Sequence, residues 1–256
     1  MTNPSLAVPH AADAPRPGAP ASRGLPADAL ALPKGGPDLL LIGALLAVLA
    51  VLVRAVWFTP VEAMQGPAQK IFYVHVPAAV VGLYLGLPLV ALCSAVYLWL
   101  RDERVDRVAE AAAEVSLVFL SVVLLTGPLW GKPVWGTWWT WDARLTLTLF
   151  LWFVVLGYLV MRGALEDRQQ RARFSAVLGL LAVLLVPFIH LSVILFRTMH
   201  PRAIVLKPSA PSLPPEMLTT LMLGFGATVL LFVALLRARV RYGHERELLA
   251  LRGEEG

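Results

Sequence analysis

Long apolar runs separated by short polar stretches dominate the chain. They fall at about 38–58, 74–100, 108–130, 145–161, 174–196 and 217–236. Most approach the ~20 residues that a helix needs to cross ~30 Å of hydrocarbon. A helix is expected for each, because it satisfies its own backbone hydrogen bonds in lipid. The second run is long and holds Pro77 and Pro88, so it is expected to kink or to begin as an exterior turn. The predicted fold is an all-α membrane protein of about six transmembrane helices, with its membrane domain over 38–236. Residues 1–37, rich in Pro and Ala, read as a disordered cytoplasmic tail. They lack the basic stretch and apolar core of a signal peptide. Residues 237–256 read as a basic cytoplasmic segment.

Composition agrees with this class. Of 256 residues 58% are hydrophobic and 15% charged, where a soluble domain is nearer half and a quarter. The net charge of +5 raises nucleic acid as a partner. The arginines, however, lie in short clusters between apolar runs, as in loops held on the cytoplasmic side of a bilayer. With a cytoplasmic N-terminus, only Arg54, Lys70, Lys132, Arg144, Arg197, Arg202 and Lys207 of the 22 Lys and Arg fall on the other side. The orientation is therefore N-in and C-in, with outer loops at about 59–73, 131–144 and 197–216. Cys93 is a lone cysteine, so neither an intrachain disulfide nor a CxxC haem attachment is available.

The outer loop between the third and fourth helices concentrates aromatic side chains. Trp130, Trp135, Trp138, Trp139 and Trp141 are five of the eight tryptophans, and Asp142 and Arg144 follow at once. An interfacial aromatic belt explains single residues such as Trp57, Trp99 and Trp152. It explains five rings within twelve residues poorly. The cluster reads as a platform for a large, flat, apolar ligand with acidic substituents, because indole offers wide contact with few rotamers to lose. Arg144 and Lys132 suit the ligand's carboxylates. Asp142 suits either orientation of Arg144 or capping of the next helix. Porphyrin, a flat ring with two propionates, fits this description.

Of the five histidines, His10 and His244 read as solvated. His75 lies at the outer mouth of the second run and His190 near the outer end of the fifth. Ionisable groups in apolar membrane sequence are functional candidates, and two imidazoles can close both axial positions of haem iron. Helical rise opposes the pairing. His190 lies roughly 26 Å above Arg173 and His75 roughly 39 Å above Arg101 at 1.5 Å per residue. Tilting or kinking of the second helix must remove the difference. His200 is the fallback ligand, or a loop residue near the site.

The stretch from Trp130 to Thr146, WGKPVWGTWWTWDARLT, resembles the tryptophan-rich WWD signature of haem-handling membrane proteins. It is most similar to the haem exporter protein C family of system I cytochrome c maturation. The contexts YVHVPAA at His75 and PFIHLSV at His190 agree, over roughly 38–236. The resemblance implies non-covalent haem b between His75 and His190 at the periplasmic face of a bacterial inner membrane. Trp130, Trp135, Trp138, Trp139, Trp141, Asp142 and Arg144 would lie along the haem. It also implies delivery to a periplasmic haem chaperone. Further implied partners are an ATP-binding-cassette pair and a small single-span subunit. ATP hydrolysis would belong to that partner, and this chain carries no GxxxxGK[ST] loop. Two features depart from the family: the long N-terminal tail, and the tryptophan-poor stretch Val193 to Arg197. The expected role is transfer rather than catalysis. The alternatives are a system II-type cytochrome c synthase, expected to be longer with a further histidine pair, and a permease for another amphiphile. A permease would need polar groups along a midplane path. Glu110 and Glu114 are the nearest to that, and read instead as interfacial residues facing a partner or water.

Overall fold

The computed structural model describes residues 36–201 and 212–254. Six helices are long and apolar enough to cross a membrane. They are α1 (Leu39–Phe58), α2 (Pro67–Leu100), α3 (Glu103–Trp135), α4 (Ala143–Ala164), α5 (Arg168–Leu195) and α6 (Pro215–Glu254). The expected all-α, six-span architecture is present. The tail over 1–35 and part of the last outer loop lie outside the described residues.

Four helices start at an aspartate. The carboxylates of Asp38, Asp102, Asp142 and Asp167 accept from backbone N–H groups of the first turns of α1, α3, α4 and α5. A helix start leaves such donors orphaned, and a short acidic side chain satisfies them. The second helix is not uniform. It opens as a 3-10 turn over Pro67–Ile71, becomes α-helical, widens into π turns over Val81–Gly86, and resumes as α-helix at Leu87–Leu100. Pro88 sits in the first turn of that last stretch, just past the widened turns, where a missing N–H is tolerated.

Two boundaries differ from the sequence expectation. The third helix continues through Pro128 and Pro133 to Trp135 and stops at Gly136, whose φ of 76° is left-handed. The Gly136 N–H bonds the Lys132 carbonyl, as a glycine past a helix end does. The first part of the tryptophan stretch is therefore helix rather than loop. The basic segment after 236 likewise continues α6 to Glu254.

Leu83, Leu87, Leu120, Leu151, Val155, Tyr158, Val186 and Ile189 form the largest core cluster, shared by α2 to α5. Phe72, Tyr73, Ala55 and Leu221 join α2 to the α1–α6 pair. The most apolar stretches of α2 and α3 are half buried, that of α1 only 11%. The central pair α2 and α3 is thus the frame on which side chains are held in fixed positions. Their approach depends on small residues, as is usual where lipid supplies no hydrophobic drive. A Cβ on Gly86 would lie 2.1 Å from Ser116 Oγ. Gly86→Ala is expected to cost about 1–3 kcal/mol by overpacking. Thermal unfolding in detergent measures this, and an unchanged midpoint would contradict the close α2–α3 contact.

At the arginine-rich end, charges pair between helices. Arg162, with its side chain 4% exposed, donates to both oxygens of Asp106 at 2.7 and 2.8 Å and to Glu110 at 2.9 Å. Glu114 pairs with Arg239. Glu247 pairs with Arg107 and Arg168. Glu110 and Glu114 thus pair with arginines of neighbouring helices while staying part-exposed.

Candidate functional site

The opposite end of the bundle gathers the other chemistry. His75, in the first α-helical turns of α2, is buried. Its Nδ1 lies 2.9 Å from Thr126 Oγ1 on α3. Gly127 backs its ring, since a Cβ there would lie 3.4 Å from His75 Cε1. The Trp130 ring stands edge-on to the imidazole, 5.7 Å between centres. Trp130 is fixed in turn: it packs on Phe72 at 5.8 Å, and its Nε1 donates to Gln65 Oε1 at 2.9 Å. Gln65 belongs to a turn in which Glu62 accepts from the Met64 and Gln65 N–H groups. Gly66 closes this turn at φ 61°, a conformation that needs glycine.

The second imidazole beside His75 belongs to His200. The two ring centres are 6.4 Å apart and tilted by 32°. The Trp135 ring also lies 6.4 Å from His200. The segment after α5 is tied down by Asp142. That carboxylate caps α4 by accepting from Leu145 N at 3.0 Å, and its other oxygen accepts from Met199 N at 3.4 Å. His200 Nδ1 lies 3.3 Å from the Pro201 carbonyl and 3.5 Å from Arg144 Nη1. A carbonyl only accepts and a guanidinium only donates. The shorter contact fits a proton on Nδ1, which leaves Nε2 with its lone pair. Burial, then the Arg144 cation, lowers the His200 pKa from 6.5 to about 4. The ring is therefore neutral near pH 7 and able to bind a metal.

His190 lies elsewhere. Its Nδ1 is 2.9 Å from the Tyr84 hydroxyl, and their ring centres are 5.9 Å apart. Tyr84 is nine residues beyond His75, roughly 13–14 Å of helical rise. That rise equals the difference expected from the sequence, and it is beside Tyr84 that the structure sets His190.

The remaining tryptophans divide into two groups. Trp139 is half-buried, and its buried Nε1 has no hydrogen-bond acceptor among the described residues. Trp138 and Trp141 are 57% and 76% exposed, with Trp141 edge-on to Trp139 at 5.7 Å. Half-buried Arg144 forms no ion pair among the described residues, so its donors remain available to an added carboxylate. Lys132 is committed differently: its ammonium donates to the Gly136 carbonyl at 2.9 Å.

Sequence reasoning missed Gln65, Tyr84, Thr126 and Gly127. Thr126 and Tyr84 carried a weak signal as hydroxyls inside apolar runs. Gln65 carried none, because its role depends on how the first outer loop folds back over α3.

Together these features define a multi-span helical membrane protein with a histidine and tryptophan site at the end opposite its arginine-rich loops. The comparisons agree with that class. The family model described as heme exporter protein C matches residues 26–250. A heme exporter protein C of Haemophilus influenzae is 37% identical over 194 residues, 74% of this chain and 78% of that protein. The heme exporter protein C of Escherichia coli K12 is 36% identical over 162 residues, 61% of this chain and 65% of that protein. A mitochondrial protein of Marchantia polymorpha named for cytochrome c biosynthesis is 34% identical over 146 residues, 57% of this chain and 61% of that protein. The chain belongs to the heme exporter protein C family.

Proposed function

We propose that this chain binds haem b non-covalently at the periplasmic face of a bacterial inner membrane and delivers it to a periplasmic haem chaperone during c-type cytochrome maturation. The observation that carries this reading is the adjacent pair His75 and His200. A metal–imidazole bond is roughly 2.0–2.1 Å, and a nitrogen lies about 1.1 Å from its ring centre. Two imidazoles on opposite sides of one iron therefore have centres about 6.2–6.4 Å apart. The 6.4 Å between His75 and His200 matches. A bare ion fits less well, since zinc asks for four ligands and no cluster of three His, Cys, Asp or Glu forms among the described residues. A porphyrin supplies the four equatorial ligands itself.

The rest of the site suits such a ligand. Trp130 and Trp135 flank the histidines and offer apolar contact. Arg144 has donors for a propionate, and the unpaired Trp139 Nε1 would gain an acceptor. Exposed Trp138 and Trp141 face outward, where the receiving chaperone must come. This reading keeps His75 as one axial ligand and places His200, rather than His190, as the other. An ATP-binding-cassette pair and a small single-span subunit complete the assembly in this reading, and haem reaches the site from lipid or from that partner. The chain's own work is holding and release.

The test is the absorption spectrum of the purified protein. Wild type is expected to carry six-coordinate low-spin haem b. His75→Ala should lose that spectrum, while His190→Ala should keep it. Absence of haem from wild type, or a His75→Ala spectrum like that of wild type, overturns the reading.

A further inference from the structure

Thr126 sits at a position that the axial pair does not explain by itself. A threonine hydroxyl has one hydrogen to donate. Thr126 Oγ1 lies 2.6 Å from the Val122 carbonyl one turn back on α3, and a carbonyl can only accept. That contact takes the hydroxyl hydrogen. The 2.9 Å contact between Thr126 Oγ1 and His75 Nδ1 must then run the other way, with His75 Nδ1–H donating to Thr126 Oγ1. The tautomer follows: the proton is on Nδ1 and the lone pair on Nε2. Around the ring, Gly127 stands against Cε1 and Trp130 meets the ring edge-on. Thr126, Gly127 and Trp130 are all on α3, so one rigid helix sets both the orientation and the proton of an imidazole carried by α2.

We infer that Thr126 is a positioning residue that holds His75 in the Nδ1–H tautomer, aims its Nε2 at the iron, and strengthens it as a donor. The inference rests on the haem reading above. A ligating histidine usually gives its other N–H to an acceptor, and loss of that acceptor typically costs 10–100-fold in metal affinity. Here the acceptor is a hydroxyl whose own hydrogen is held by the helix backbone. An imidazole whose N–H is hydrogen-bonded carries more negative charge and favours ferric over ferrous iron. Removing the acceptor should weaken ferric haem more than ferrous haem, and so raise the reduction potential.

The experiment compares full-length wild type, Thr126→Val and Thr126→Ser, each loaded with haem b in detergent. It reads the midpoint potential, ferric haem affinity and the low-spin spectrum. Valine keeps the shape of threonine and removes the acceptor. Thr126→Val is expected to bind ferric haem at least tenfold more weakly. Its potential should rise, a tenfold change in ferric over ferrous preference being about 59 mV for one electron. Thr126→Ser should restore both values, because it keeps the hydroxyl. Wild-type values in Thr126→Val, or a Thr126→Ser variant as impaired as Thr126→Val, would overturn the inference. His75→Ala serves as the control. If it leaves the wild-type spectrum unchanged, or if wild type takes up no haem, the axial reading itself falls and this inference falls with it. If His75→Ala loses the low-spin spectrum while Thr126→Val matches wild type, only the role of Thr126 is lost.

Discussion

Arg162→Met is expected to destabilise the protein by about 3–5 kcal/mol, the usual result of removing one partner from a buried ion pair. The guanidinium is nearly inaccessible and faces two carboxylates, Asp106 and Glu110, on the neighbouring helix. Deleting it leaves both acids beside each other and beside the Tyr158 ring, over which Arg162 also lies at 5.7 Å. Both acids then lose the cation that they share. The companion variant separates charge from packing. Arg162→Met with Asp106→Asn and Glu110→Gln removes the uncompensated charges and should recover most of the loss, since replacing a whole buried cluster is often nearly neutral. Thermal unfolding in detergent reads both. A single variant costing under about 1 kcal/mol would mean that the cluster behaves as an exposed pair, and that the α3–α4 contact is looser than its geometry.

This cluster shows where sequence reading stops. The runs of apolar residues gave the six spans directly, because a bilayer imposes a length and a composition on each one. The capping role of Asp142 was legible too, since it acts on a donor within three residues. The partners of Glu110 and Glu114 were not. Arg162 is 52 residues from Glu110 and Arg239 is 125 residues from Glu114. Nothing local distinguishes an acid facing solvent from one facing an arginine on another helix. The same limit affected the end of α3. The third span was expected to end near residue 130, yet the helix runs on to Trp135, where contacts of Trp130 with Phe72 and Gln65 hold it.

The histidines repeat this lesson. Apolar context made His190 conspicuous, because a titratable side chain in a membrane run stands out. His200 lay in a polar loop, where a histidine is unremarkable. Helical rise nevertheless opposed the pairing of His75 with His190. It put His75 and His190 at different heights, and the structure gives His190 to Tyr84. What sequence could not supply was the return of the chain after α5, pinned by the Met199 N–H on Asp142. The residue that caps α4 thereby also holds the segment that sets His200 beside His75.

That junction yields the sharpest functional expectation. His200→Ala should convert the six-coordinate low-spin haem to a five-coordinate high-spin form. Haem retention through purification should fall by at least the 10–100-fold that loss of an outer-shell partner alone typically costs a metal site. Fold stability should change little, because His200 lies outside the helical core. Added imidazole should then restore the low-spin spectrum of His200→Ala, since His200 is part-exposed where His75 is buried. The same addition should act weakly on His75→Ala, because His75 is only 7% exposed and is enclosed by Thr126, Gly127 and Trp130. Absorption spectra with and without imidazole measure all of this. If His190→Ala rather than His200→Ala gave the five-coordinate form, Tyr84 would have to release His190 and α5 would have to rise by more than two turns relative to α2. Such a movement would break the packing of Val186 and Ile189 against the core of α2 to α4, and that cost is the physical reason for assigning the second ligand to His200.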